Sequence, residues 1–389
     1  MTAKLQVVVL GAGFGGLEVA RTLSETLGEQ VQTTLVDRAE SFVFGFSKLD
    51  FMFGHTDADH VRLPYANVRG PGLQVLRAEV RAIDPHTRTV TLDDDRQLHA
   101  DLLVVALGAD LDPAATPGLE AAGQEFYTVA GAEAARDALE SFDGGRLLIA
   151  VTSTPFKCPP APSEAALLAH DFLTQRGLRA GSSIDLVMPL PTPVPPAPAA
   201  SEAILAAFAE RGIGWHPKQQ VQRVDPEARS IVLTDGSRLG FDLLLAVPAH
   251  RAPQVVVDAG LTEDGWIPVD ARTLCTRYPG VFAIGDVTSV GTPKAGAFAE
   301  GQGQTVAAQI IDQVRGGTSA DGYGGHGACL MEFGGGQVAK VEVTFAPGEA
   351  PYGRLVPPSL ENATEKQSSG TRRAQRWFGQ DWRPLPARS

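Results

Sequence analysis

Cysteine and long apolar runs are both scarce in this chain of 389 residues. Its three cysteines are too few for the disulfide framework of a small secreted protein. It has no apolar run of the roughly 18 residues that a membrane-spanning helix needs. The apolar start Leu5–Leu10 runs directly into Gly11, which indicates a strand rather than a signal-peptide core. A cytoplasmic location is therefore expected.

Basic residues are also in deficit, because 33 Lys and Arg face 45 Asp and Glu. The resulting net charge of −12 argues against general nucleic-acid binding, and no nucleic-acid partner is predicted.

His170 and His250 lack the spacing of metal ligands, so no metal site is predicted either. Cys275 is interpreted as a small core residue.

Glycine is missing from a place where a dinucleotide-binding fold normally needs it. An apolar strand at 146–151 enters an amphipathic helix, yet residues 152–172 contain no glycine. They contain Cys158 instead, between Lys157 and a Pro-Pro pair. We expect Lys157 and the helix that begins just after Cys158 to stabilise a reactive thiolate. The alternative is a buried structural thiol.

A complete glycine-rich turn does occur at the start of the chain. The strand Leu5–Leu10 is followed by Gly11, Gly13 and Gly16 and then by a helix. Asp37 ends the next strand, where an acidic residue takes a ribose hydroxyl pair. This arrangement predicts a diphosphate bound at the N-terminus of the helix.

The order of predicted elements indicates an α/β protein with two Rossmann-like domains, the second inserted in the first. The FAD-type domain is expected at residues 1–110 and 265–325, and the second domain, which carries Cys158, at 111–264. Residues 326–389 form a small C-terminal capping region in this prediction. Hairpins are predicted at 78–92 and around 231–236, and Cys329 is expected to open the strands of the capping region.

These residues resemble the flavoproteins with two dinucleotide-binding domains, within the branch of sulfide:quinone oxidoreductase and flavocytochrome c sulfide dehydrogenase. The resemblance covers about residues 5–380. The motifs that carry it are residues 11–16 with Asp37, 157–162 with Glu164, 281–287, 293–294 with 298–300, and 327–329.

The resemblance implies non-covalent FAD and a redox disulfide between Cys158 and Cys329. The implied FAD-binding residues are Gly11, Gly13, Gly16, Asp37, Arg38, Gly108, Gly285, Asp286, Lys294 and Ala297. Glu164 is a candidate proton relay, although an acid in a first helical turn also simply favours the helix dipole. Lys294 and Glu300 are interpreted either as contacts to flavin or quinone, or as solvated surface residues.

The chain departs from the resembling enzymes at three points. Residues 125–131 lack the third catalytic cysteine expected of the common quinone-reducing type, and the loop at 189–198 lacks a histidine. No cysteine lies near Phe42 to tether the flavin covalently. The aromatic segment 42–54 is interpreted either as a cofactor lining or as a core loop.

The leading hypothesis is oxidation of sulfide, or a related sulfur donor, with electrons passed through FAD to a membrane quinone. Three alternatives remain open at this point. An NADH:quinone oxidoreductase would need a glycine turn after Val151, and a cytochrome-linked sulfide dehydrogenase would need a signal segment and a flavin tether. The fourth hypothesis is a flavoprotein redox sensor without turnover.

The C-terminal tail, residues 366–389, has six cations and one acid in an acidic chain. It also contains Trp377, Phe378 and Trp382. Basic residues beside aromatic ones suit a membrane interface, so peripheral attachment to the inner face of the membrane is one expectation. The other is that the tail packs on its own domain or on a second copy in a homo-oligomer.

Overall fold

The computed structural model describes residues 4–317 and 321–382. The helices of that part are α1 Phe14–Leu27, α2 Ser47–Met52, α3 Leu119–Ala122, α4 Val129–Glu140, α5 Ala161–Gln175, α6 Pro198–Arg211, α7 Gln254–Asp258, α8 Gly296–Arg315 and α9 Leu360–Phe378. Short 3₁₀ turns occur at Gly28–Gln30, Tyr65–Asn67, Pro113–Ala115, Arg179–Gly181 and Gly285–Val287. Among these helices, none is long and apolar enough to cross a membrane.

The first sheet has five parallel strands. In spatial order they are Val281–Ala283, Leu102–Val105, Leu5–Leu10, Val31–Asp37 and Leu73–Arg77. Val7 and Val9 pack in one core cluster with α1, and Val8 and Leu10 pack in another with an antiparallel three-stranded sheet. That second sheet consists of Val80–Asp84, Thr89–Leu92 and Gln97–His99. Burial on both faces explains the unbroken apolar run in the central strand.

A second parallel sheet lies in the chain between two strands of the first. Its spatial order is Gly123–Glu125, Leu243–Val247, Gly145–Val151, Ser182–Met188 and Ile213–Pro217. One face packs on α5 and the other on a three-stranded sheet, Val221–Asp225, Ser230–Leu233 and Arg238–Gly240. The chain then returns, and Val281–Ala283 pairs with Leu102–Val105. The predicted fold class is confirmed, whereas the predicted domain limits remain predictions.

The capping region is an antiparallel sheet of His326–Gly334, Gln337–Thr344 and Tyr352–Ser359, followed by α9. Helix α9 begins where the Ser359 hydroxyl accepts a hydrogen bond from the Asn362 N–H, and it ends at the left-handed Gly379. Two small two-stranded sheets complete the fold, Ser41–Val43 with Arg62–Pro64 and Asp110–Asp112 with Ala249–Arg251.

Both predicted hairpins are present, and each is extended to a three-stranded sheet, by Gln97–His99 in the first and by Val221–Asp225 in the second. One local prediction is corrected. Cys329 does not open a strand but lies within His326–Gly334, where it pairs in register with Val341.

Candidate active site

A cavity of about 510 Å³ lies where the carboxyl ends of both parallel sheets face the capping sheet. The predicted residues that line it are Gly13, Gly108, Cys158, Glu164, Gly285, Asp286, Lys294, Ala297 and Cys329. Gly11, Gly16 and Asp37 do not line the cavity. Ligands of open α/β sheets bind at this edge, so the cavity is the candidate active site.

The glycine turn after the first strand is closely packed on one side and open on the other. Gly11 has a φ of +98°, and a Cβ on Gly16 would lie 1.9 Å from the Gly11 carbonyl oxygen. A Cβ on Gly13 would meet nothing within 4 Å. The open side faces the first turn of α1, whose N–H groups have no partner within the helix. This shape fits the diphosphate of a dinucleotide.

Asp37 holds the turn in place. One carboxylate oxygen accepts a hydrogen bond from the Ala12 N–H at 2.7 Å, and the other accepts from the Ala39 N–H at 2.8 Å. Arg38 does not reach the cavity: its exposed guanidinium lies 3.4 Å from Glu79 and 3.8 Å from Asp110. The predicted role of Arg38 toward the cofactor remains a prediction.

The side chain of Lys294 is buried against the segment that follows the last strand of the first sheet. Its ammonium donates to the carbonyl oxygens of Asp286, at 2.5 Å, and Thr288, at 3.2 Å. It also lies 3.2 Å from the centre of the Trp266 ring. Burial lowers the pKa of Lys294 to about 8 and raises the pKa of Asp286. The reading of Lys294 as a solvated surface residue is therefore wrong.

Cys158 has a left-handed backbone, with a φ of +76°. Its N–H donates to the Lys294 carbonyl at 2.8 Å, and its carbonyl accepts from the Ala161 N–H at 2.8 Å, at the start of α5. A non-glycine residue in this conformation is held there by its surroundings, and such residues cluster at functional sites. The bond to Lys294 joins the second sheet's loop to the first sheet's loop beside the cavity.

Cys158 and Cys329 both line the cavity, and both are free thiols in this structure. Burial and the nearby Cys329 sulfur raise the pKa of Cys158 well above its ordinary value. Burial also raises the pKa of Cys329 to about 12, with a further contribution from Glu164. The surroundings thus favour the neutral thiol in both residues.

This result corrects the expectation that Lys157 stabilises a Cys158 thiolate. The Lys157 ammonium donates to the Ala109 carbonyl at 3.0 Å, and α5 begins only at Ala161. In these surroundings the pKa of Cys158 rises, because burial and the nearby Cys329 and Glu164 outweigh the hydrogen bond from the Ala161 N–H.

Glu164 lies in the first turn of α5, with its carboxyl group buried beside the cavity. The group accepts a hydrogen bond from the Glu332 N–H at 2.9 Å and lies 3.5 Å from the Lys366 ammonium. Lys366 also lies 2.7 Å from the Glu332 carboxylate. Burial raises the pKa of Glu164 to about 7, although Lys366 opposes the rise. Glu164 can therefore gain or lose a proton near neutral pH.

Residues 5–309 match the family model described as pyridine nucleotide-disulphide oxidoreductase. The chain belongs to this family. It is a flavin-dependent oxidoreductase, and its cofactor is FAD, as the glycine turn and its open side indicate.

Several relatives and solved structures are similar to the chain. The mitochondrial sulfide:quinone oxidoreductase of Mus musculus is 25% identical, over 76% of this chain and 68% of the relative. The sulfide-quinone reductase of Aquifex aeolicus is 24% identical, over 84% and 81%. An NADH dehydrogenase-like protein of Mycobacterium tuberculosis is 27% identical over 73% of each chain. The X-ray structure of the Aquifex aeolicus sulfide:quinone oxidoreductase matches with a TM-score of 0.83 and 22% identity, covering 94% of this chain and 90% of that one.

Lys48, Tyr127 and Lys366 are among the cavity residues of this flavoenzyme that sequence reasoning missed. Lys48 lies in the aromatic segment 42–54, one part of which lines the cavity while another part belongs to the core. Phe44 is fully buried in the core, whereas Phe46 and Lys48 line the cavity. A lysine within a run of aromatic residues was the available signal.

The aromatic residues of the tail are not available to a membrane. Trp377, Phe378 and Trp382 are all buried, and the rings of Trp377 and Trp382 contact Phe44. The Trp377 indole N–H donates to Glu18 at 3.1 Å. The described tail therefore packs on its own chain, which corrects the membrane-facing reading of these rings. Residues 383–389 lie outside the described residues.

The other residues considered in the sequence, Glu300, Cys275 and His250, do not line the cavity. Glu300 is not a solvated surface residue, because its carboxylate lies 2.8 Å from the guanidinium of Arg373 on α9. Cys275 packs partly buried against the main core cluster. His250 is buried, and its burial lowers the pKa of the ring to about 3.

Proposed function

We propose that this flavoenzyme oxidises sulfide, or a closely related sulfur donor, and passes the electrons through FAD to a membrane quinone. The observation that carries the proposal is that Cys158, Cys329 and Glu164 line a single cavity with the predicted flavin-binding residues. The relatives named as sulfide:quinone oxidoreductases support the same choice of donor and acceptor.

The two sulfurs are proposed to cycle between dithiol and disulfide. Hydrosulfide attacks one sulfur of a Cys158–Cys329 disulfide, so a new sulfur–sulfur bond forms and the bond between the cysteines breaks. One cysteine then carries a persulfide and the other leaves as a thiolate. The disulfide itself is the oxidant in this attack. Transfer of the outer persulfide sulfur to a second hydrosulfide leaves both cysteines reduced, and FAD, when bound, would supply the two-electron acceptor that re-forms the disulfide.

Glu164 is proposed to manage the proton that accompanies these steps. Because burial favours neutral thiols, a cysteine thiolate formed in the cavity readily takes up a proton. A carboxyl group with a pKa of about 7 can receive or return that proton without leaving a costly buried charge. Lys366 balances the charge when Glu164 is ionised.

NADH oxidation is the second candidate, because one relative is named as NADH dehydrogenase-like. The turn after Val151 argues against it, since residues 152–160 provide no glycine for close approach of a diphosphate. The cytochrome-linked hypothesis shares the sulfur chemistry and differs in what accepts the electrons, whereas the sensor hypothesis involves no turnover.

An anaerobic titration of the holoenzyme separates these functions. We expect sulfide to bleach the flavin absorbance, NADH to leave it unchanged, and Cys158→Ser to abolish the bleaching. Cys275→Ser is the matched control and keeps the wild-type response, because Cys275 does not line the cavity. Rapid bleaching by NADH with no response to sulfide contradicts the proposal.

The acceptor is tested by adding decylubiquinone to the sulfide-reduced enzyme. Fast return of the flavin absorbance supports a quinone acceptor. If the flavin stays reduced, the cytochrome-linked or sensor hypothesis replaces this part of the proposal.

A further inference from the structure

Tyr127 presents an unpaired hydroxyl group inside the candidate active site. Its side chain is only 8% exposed, it lines the cavity together with Cys158, and its hydroxyl oxygen has no hydrogen-bond partner in the described part of the chain. A buried polar group without a partner costs about 1–3 kcal/mol. A hydroxyl kept in this state beside a reactive cysteine points to a ligand that completes its hydrogen bonding.

The ring of Tyr127 is held firmly. It packs at 5.2 Å from the Phe126 ring and edge-on at 5.5 Å from the His250 ring, centre to centre. His250 is fixed in turn, with Nδ1 2.9 Å from the Pro248 carbonyl oxygen and Nε2 accepting from the Lys157 N–H at 3.4 Å. The Tyr127 N–H itself donates to the Glu125 carboxylate at 2.6 Å. The direction of the hydroxyl is therefore set by packing.

Lys48 brings a positive charge to the same cavity. Its ammonium donates to the Tyr127 carbonyl oxygen at 2.6 Å, and Lys48 also lines the cavity. An ammonium group has three N–H donors, and the structure gives this one a single acceptor within residues 4–317 and 321–382. Burial lowers the pKa of Lys48 to about 8, so the group is still mainly protonated at neutral pH.

We propose that the Tyr127 hydroxyl and the Lys48 ammonium form a subsite that binds a small sulfur anion of the hydrosulfide class next to Cys158. Both groups supply hydrogen-bond donors, and one carries a positive charge, which matches a compact anion. Lys157, another cation that lines the cavity, is bound to the Ala109 carbonyl. The segment 125–131, which has no cysteine, thus contributes a hydroxyl to the site instead.

This inference rests on the proposed function for the identity of the ligand, but its test does not depend on turnover. The reduced holoenzyme is treated in parallel with iodoacetate, which is an anion, and iodoacetamide, which is neutral. Alkylation of Cys158 is followed by peptide mass spectrometry. The ratio of the two rates reports whether donors near Cys158 attract an anion, because both reagents have the same leaving group.

We expect Tyr127→Phe and Lys48→Met each to lower the iodoacetate-to-iodoacetamide ratio at least fivefold, while Lys157→Met leaves it within twofold. FAD content checks that each variant is folded. Unchanged ratios in both variants, or a fall only in Lys157→Met, overturn the proposal.

The two proposals fail in different ways. If sulfide does not bleach the flavin but the ratio still depends on Tyr127 and Lys48, the anion subsite stands and the choice of donor is wrong. If sulfide bleaches the flavin and the ratio depends on neither residue, the function stands and the subsite is wrong.

Discussion

Cys158 combines two properties that seldom occur in one residue. Its backbone has the positive φ that usually favours glycine, and its side chain is a nucleophile. The turn can therefore bring a sulfur atom to the cavity at the position where a nicotinamide-binding enzyme would have its glycines. As a consequence the thiol is buried and its pKa is raised, so a nearby group must exchange a proton with it.

Glu164 is predicted to provide this proton transfer, and the rate of flavin reduction by sulfide should therefore depend on pH. The base form of Glu164 exists above its pKa of about 7, in a site where Lys366, Glu332 and Asp50 are the charged neighbours. Glu164→Gln should slow flavin reduction by sulfide about 10²-fold at pH 8, a typical loss for a general base. The difference should shrink as the pH falls below 7, because wild-type Glu164 is then protonated and resembles Gln.

The measurement is the ratio of wild-type to Glu164→Gln rates in anaerobic stopped-flow experiments. Taking the ratio cancels the ionisation of sulfide itself, which affects both enzymes equally. A ratio that does not change with pH would exclude Glu164 as the proton acceptor.

Gly13 and Gly16 should respond differently to the same substitution. Gly13→Ala should leave the apoprotein within about 1 kcal/mol of wild-type stability but reduce FAD retention, because the new Cβ points into the open side of the turn. Gly16→Ala should destabilise the apoprotein by about 1–3 kcal/mol or more, since its Cβ would collide with the Gly11 carbonyl. Urea unfolding and FAD content after gel filtration distinguish the two; full FAD retention in Gly13→Ala would contradict the diphosphate assignment.

At the scale of the element, α9 fastens the capping region to the first sheet's domain. Arg376 lies 2.6 Å from Glu18 on α1, and Arg373 lies 2.8 Å from Glu300 on α8. Trp377 fills the space between them and the aromatic segment near Phe42. The apolar side chains of α9 that are covered in this way belong to the core.

Loss of that packing should be measurable. Trp377→Ala should lower the free energy of unfolding by about 3–5 kcal/mol, the usual cost of removing a large buried aromatic side chain. Gln375→Ala is the matched control on the exposed face of the same helix and should change it by less than about 0.5 kcal/mol. If urea denaturation gave the same loss of unfolding free energy for both variants, the buried face of α9 would not be what stabilises the fold.

At the scale of the whole molecule, the cavity exists because three sheets converge. Both parallel sheets end there: the first provides Gly108 and Asp286, and the second provides Tyr127 and Cys158. The capping sheet adds Cys329. The active site therefore depends on how the sheets are oriented, and a change far along the chain can alter it.

The sequence alone determined the parts of this protein that are local. The glycine turn with Asp37, the glycine-free turn with Cys158 and the α/β order of elements follow from backbone geometry and from residue spacing, which act over short stretches of chain. Such features can be predicted because their physical causes lie within a few residues of one another.

Tertiary structure alone decided what meets in the cavity. Lys366 reaches Glu164 from a tail for which composition left open a membrane surface or packing on its own domain, and Lys48 meets the backbone of Tyr127 although the two lie on separate segments. Burial then set the protonation of Cys158, Cys329 and Glu164, reversing the expectation drawn from the adjacent Lys157. Sequence spacing carries no information on burial between distant segments, and burial is the largest influence on these pKa values.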